Sequence, residues 1–204
     1  RPPQEIEGPP RPVVVWNCTR QCNLACVHCY ASAGNRKSPD EMNTESGKAF
    51  IRDLADFSVP VLLFSGGEPM LRKDFFELAD YACRQGLRVA VSTNGTLITR
   101  EAAGKLKDVG FAEIGISLDA IGPGNDRFRG HEGAYRAALE GIRNCVALGL
   151  RVSLRLTVTR LNYQEIAPIL RLTEEEHIDR ICFYHLAYSG RGGSLQKEDI
   201  SHAQ

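Results

Sequence analysis

The sequence predicts an α/β fold, an open barrel of six β/α units. Three observations carry this. Short β-rich runs alternate strictly with longer helical patterns, which implies parallel strands joined by right-handed crossovers. The β-rich runs are mostly continuous apolar stretches, as expected of strands covered on both faces. No Gly-rich phosphate fingerprint follows the first run, as a Rossmann-type open sheet would require; a cysteine-rich loop follows it instead. The prediction is therefore a partial (β/α)6 TIM-type barrel with its chemistry at the C-terminal ends of the strands.

The elements follow in order. Residues 1–12, RPPQEIEGPPRP, hold five of the ten prolines and predict an extended, polyproline-like lead-in. The barrel is expected over residues 13–190. Strands are predicted at VVVW (13–16), VLLF (61–64), RVAVS (88–92), EIGISL (113–118), RVSLRLTV (151–158) and RICFYHL (180–186). Helical patterns lie between them at 44–57, 74–85, 99–109, 132–148 and 163–176. After the sixth strand, SLQKEDISHAQ reads as the start of a further helix, so residues 191–204 are expected to begin a C-terminal extension.

Composition narrows the function. The 204 residues suffice for one domain or most of one. Lys+Arg and Asp+Glu are 25 each, so no overall basic surface points to nucleic acid. No apolar run approaches the length that spans a bilayer, and the N-terminus has no signal-peptide core. A cytoplasmic enzyme is the expectation. Of seven cysteines, Cys83, Cys145 and Cys182 stand singly in apolar patterns and read as small buried hydrophobes. The other four crowd into residues 18–29.

TRQCNLACVHCY (19–30) places Cys22, Cys26 and Cys29 in a loop directly after the first strand. Thiolates bind soft metals, and a tight loop can wrap three of them around one face of a cluster. Three is one short of the usual set. Cys18 or His28 would complete a tetrahedral zinc site, although structural zinc sites usually pair short knuckles from separate segments. SGGEP (65–69) follows the second strand: its glycines let backbone approach a ligand, Glu68 offers an acceptor, and a plain strand-to-helix turn reads the same way. STNGTL (92–97) likewise reads as a tight turn or as hydroxyl and amide groups for a ligand. Arg155 alternates with apolar neighbours in the fifth strand, and an inward arginine there needs a carboxylate, from a ligand or from Glu113 or Asp119.

The Cys-x3-Cys-x2-Cys loop after a first strand, with GGEP and STNG following in order, resembles the radical S-adenosylmethionine (SAM) family over about residues 13–190. The resemblance implies a [4Fe–4S] cluster held by Cys22, Cys26 and Cys29 alone, with SAM chelating the fourth iron. Cys18 is then not a ligand. Reductive cleavage of SAM would give methionine and a 5′-deoxyadenosyl radical that abstracts hydrogen from substrate, with an electron donor such as flavodoxin or ferredoxin. No catalytic residue beyond the cluster and SAM is implied. The SAM contacts it implies are His28 and Tyr30 for the adenine, Gly66, Gly67, Glu68 and Pro69 for the amino group, Ser92 and Asn94 for the ribose, Ser117 and Asp119 on the same rim, and Arg129 and Arg155 for carboxylates. His28 departs from the aromatic residue usual before the last cysteine.

Within that family, ISLDAIGPGNDRFRG, GAYRAALEGIRNC and FYHLAYSGRGG resemble the branch with C-terminal auxiliary clusters (SPASM/twitch type), and the last stretch is most similar to the heme d1 and alternative heme biosynthesis members. The resemblance implies a tetrapyrrole substrate, with His185, Tyr188 and Arg191 meeting its carboxylates. It also implies that the chain stops before an auxiliary iron–sulfur region, since the auxiliary cysteines are absent. The runner-up is a maturase of peptides or peptide-derived cofactors, for which residues 1–12 are too short to dock a peptide. A non-catalytic zinc or iron–sulfur module is the alternative of another class.

Overall fold

A computed structural model describes residues 11–200. Six parallel strands form one sheet in the order of the chain: β1 (Val14–Thr19), β2 (Val61–Gly66), β3 (Arg88–Thr93), β4 (Glu113–Ser117), β5 (Val152–Thr157) and β6 (Arg180–Tyr184). Helices α1 (Thr44–Asp56), α2 (Phe75–Arg84), α3 (Arg100–Val109), α4 (Pro123–Arg129), α5 (Ala134–Ala147) and α6 (Ile166–Glu175) return the chain between strands. No ladder joins β1 to β6 among the described residues, so the barrel is open. No helix among them is long and apolar enough to cross a membrane.

The period-2 alternation of strand side chains decides which face is core. Trp16 and Cys18 of β1, Leu62 and Phe64 of β2, Ile114 and Ile116 of β4, and Leu154 and Leu156 of β5 are buried on the helix-covered side. They meet Ile51 of α1, Leu78 of α2, Leu106 of α3 and Ile142 of α5 in one core. Asn43 accepts from the Ser46 N–H and Thr99 from the Ala102 N–H, fixing where α1 and α3 begin. The other face of the sheet is concave and carries the site.

The first strand runs on to Thr19, beyond the expected end at Trp16, and α4 forms where no helix is expected. GPGNDRFRG looks like turn chemistry, but Pro123 sits at the helix start and Gly130 closes its end in the left-handed conformation. The expected helix after the sixth strand is instead a run of 3-10 turns, Gly190–Glu198. Residues 201–204 of that expectation, and most of the proline lead-in, lie outside the described residues.

Candidate active site

A cavity of about 390 Å³ opens at the C-terminal ends of the strands. Cys22, Cys26 and Cys29 lie in its wall, and each sulfur receives an N–H. Leu24 N donates to Cys22 Sγ at 3.4 Å, Ala33 N to Cys29 Sγ at 3.4 Å, and Arg129 Nη1 to Cys26 Sγ at 3.7 Å. Such donors stabilise a thiolate. Burial pushes the Cys22 thiol up to about 11, partly offset by the Leu24 N–H, so a metal must displace its proton. Cys18 lies apart in the helix-side core, and burial pushes its thiol up to about 12.

The second wall is the turn after β2. Gly67 N donates to Thr19 O at 2.7 Å and Glu68 N to Gln21 O at 2.8 Å. A Cβ on Gly66 would stand 2.2 Å from Thr19 O, and one on Gly67 2.2 Å from Gln21 O, so only glycines let this turn lie against the root of the cysteine loop. The Glu68 carboxylate is buried outside the cavity lining, accepting from Thr93 Oγ1 at 2.8 and 2.9 Å, Asn94 N at 2.8 Å and Met70 N at 3.1 Å. Asn94 in turn donates through Nδ2 to Asn23 Oδ1 at 2.8 Å and, more distantly, to Cys22 Sγ at 3.9 Å.

The third wall comes from β4, β5 and α4. Ser117, Arg155 and Thr157 face the cavity. The Arg155 guanidinium runs back over Gly115, where a Cβ would stand 2.1 Å from Nε, and reaches Glu113 only at 3.9 Å. Its Nε is buried without a partner. Asp119 accepts from Thr157 N at 2.9 Å and pairs with Arg129 Nη2 at 2.5 Å. His28 Nε2 lies 3.5 Å from the same carboxylate, and its ring leans on Phe128 with centroids 4.8 Å apart. Burial holds His28 below the ordinary histidine value against the pull of Asp119, with the Arg129 and Arg191 charges adding to the fall.

The description "Radical SAM superfamily" fits residues 16–173 of this chain. The chain belongs to the radical SAM superfamily. It is 56% identical to Fe-coproporphyrin III synthase of Methanosarcina barkeri over 94% of this chain and 48% of that protein. It is 42% identical to pre-heme d1 synthase of Dinoroseobacter shibae over 100% of this chain and 50% of that protein. The chain thus spans about half the length of these curated relatives. Streptococcus suis SuiB bound to S-adenosylmethionine shares the fold, with a TM-score of 0.74 at 19% identity over 85% of this chain and 40% of that one.

Radical SAM proteins use a [4Fe–4S] cluster and SAM, and this donor set fits them. Cys22, Cys26 and Cys29 line one cavity, a set of soft thiolate donors of the kind that holds an iron–sulfur cluster. Of the residues that the radical SAM resemblance singles out, Cys22, Cys26, Cys29, His28, Tyr30, Gly66, Gly67, Ser92, Asn94, Ser117, Arg129, Arg155, His185 and Arg191 all line the cavity.

Four residues stand outside it. Glu68 and Asp119 are both 0% exposed, and each accepts from a main-chain N–H at a strand end, Asn94 N at 2.8 Å and Thr157 N at 2.9 Å, as a buried carboxylate must. Pro69 is buried and starts a short 3-10 turn. Tyr188 faces solvent, its hydroxyl on Asp199. Arg191 is in the wall, but its Nε and Nη1 are bound to loop carbonyls. Thr93, Asn23 and Gly115 were missed by sequence reasoning. Thr93 stands inside the STNG stretch already noted, whereas Asn23 and Gly115 carry no signal without the fold.

Proposed function

We propose that this chain is the radical-generating domain of an enzyme that modifies the side chains of a tetrapyrrole in heme or heme d1 biosynthesis. The observation that carries the reading is the 56% identity to Fe-coproporphyrin III synthase across nearly the whole chain. When bound, the cluster and SAM supply one-electron chemistry that ends in hydrogen abstraction from substrate.

The chain's own residues do the rest. Cys22, Cys26 and Cys29 hold the cluster. The Ser65–Gly67 turn, with Ser92, Asn94 and Ser117, lines the cavity beside them and would face SAM. His28 and Tyr30 offer ring faces to its adenine. Arg129 is held by Asp119 at 2.5 Å, whereas Arg155 comes no nearer than 3.9 Å to Glu113 and its Nε has no partner, so Arg155 is the less committed cation. The concave face is apolar at Val15 and Leu63 and polar at Ser117, Arg155 and Thr157. That division supports a ligand with a flat apolar body and anionic edges, Arg155 taking a carboxylate and His185 standing at the rim. A small soluble electron donor and a cytoplasmic setting complete the reading.

The test uses the full-length protein, reconstituted anaerobically, reduced with dithionite and given SAM and a didecarboxylated siroheme. Mass spectrometry should show loss of side-chain mass together with 5′-deoxyadenosine. No binding and no mass change, with modification of a peptide encoded beside it, would replace the tetrapyrrole with a peptide substrate.

A further inference from the structure

The loop carrying Cys22, Cys26 and Cys29 has almost no regular secondary structure, so its main-chain groups must find partners elsewhere. On one side, Ala25 N and Val27 N donate to Arg129 O and Phe128 O at 3.1 and 3.0 Å, at the end of α4. On the other side, one residue binds three of the carbonyls. Arg191 donates through Nε to Cys26 O at 2.7 Å, through Nη1 to Ala33 O at 2.8 Å, and through its main-chain N–H to Cys29 O at 2.9 Å. Gly190 packs so closely that a Cβ there would stand 2.5 Å from Cys29 O and 2.4 Å from Tyr30 O. Ser194 Oγ donates to Arg191 O at 2.7 Å and braces the turn.

We propose that Arg191 is a positioning residue for the cluster. Its planar guanidinium ties Cys26 to Ala33 and so holds the loop in the shape that turns three thiols toward one cavity. Docking of the segment after β6 is thereby coupled to cluster binding. The same guanidinium places a cation beside Cys26, whose sulfur already receives Arg129 Nη1. Positive charge at that point favours the reduced, more negative cluster. The inference depends on the cluster and is independent of which substrate the enzyme takes.

The experiment compares Arg191→Met and Arg191→Lys with the parent in full-length protein reconstituted anaerobically. Three readouts are followed: the chelator concentration that strips half the iron, the midpoint potential by EPR-monitored titration, and the thermal melt of the fold. In Arg191→Met, resistance to chelator should fall about 10–100-fold, the usual cost of losing support behind a metal ligand. Its reduced-to-oxidised ratio at fixed potential should drop about tenfold, or about 59 mV for one electron. Arg191→Lys should recover the potential but not the retention, because an ammonium keeps the charge and loses the two-pronged geometry. Should Arg191→Met fail to fold, the lysine variant alone decides, by weak iron retention with a parental melt. Parental retention and potential in the variants that fold, with only tetrapyrrole binding weakened, would overturn the proposal and return Arg191 to a substrate contact.

Discussion

Replacing Glu68 separates two roles that its place in the GGEP turn leaves open. Its carboxylate, fully buried, receives Thr93 Oγ1, Asn94 N and Met70 N, and the first two donors are themselves buried. Met70 is only half-buried, so water can take over its N–H. Glu68→Ala therefore strands two buried donors. At about 1.5–3 kcal/mol for each hydrogen bond to a charged group, the loss should be about 3–6 kcal/mol, against a typical domain stability of about 5–15 kcal/mol. Glu68→Gln keeps one acceptor oxygen and should lose less. The assay is urea unfolding followed by circular dichroism, beside calorimetric titration with SAM.

The pH dependence carries a second signature of the same group. Burial raises the Glu68 carboxyl above the ordinary carboxylate value, and the Asn94, Thr93 and Met70 donors only partly offset it. A raised carboxyl holds its proton more tightly in the folded state. Its contribution to stability is then full below the unfolded pKa and is lost as pH rises through the folded one. Glu68→Gln should abolish that part of the pH profile. A loss below about 1 kcal/mol for Glu68→Ala, with SAM binding weakened instead, would refute the anchor reading and assign the carboxylate to the SAM amino group.

Two further outcomes are expected. Cys18→Ser should retain about four irons per chain and SAM cleavage, whereas alanine at Cys22, Cys26 and Cys29 together should abolish both, read by iron assay and the broad thiolate-to-iron absorption; loss of iron in Cys18→Ser would make Cys18 a ligand. Gly115→Ala should reproduce the substrate-binding defect of Arg155→Gln with little loss of iron, because the new Cβ would collide with the guanidinium; calorimetric titration of each variant with tetrapyrrole checks the match.

The parallel sheet and the cysteine loop were legible because both are local. Apolar runs such as Leu62–Phe64 and Leu154–Leu156 need only their own spacing to predict a buried strand, and three thiols within eight residues imply a soft-metal site wherever the chain goes next. Helix α4 was hidden by Gly122, Pro123, Gly124 and Asn125, residues of turn chemistry that here serve a helix start. The direction taken by each charged side chain at a strand end was beyond the sequence. Glu68 turns toward Thr93, 25 residues on, and Arg191 reaches back 165 residues to Cys26. Which way such a group points is a competition between solvent, ligand and buried main-chain partners, and those partners come together only when the sheet curves around the loop. The sequence by itself determined what chemistry the site can hold; the tertiary structure decided which residues face that chemistry and which brace the wall behind it.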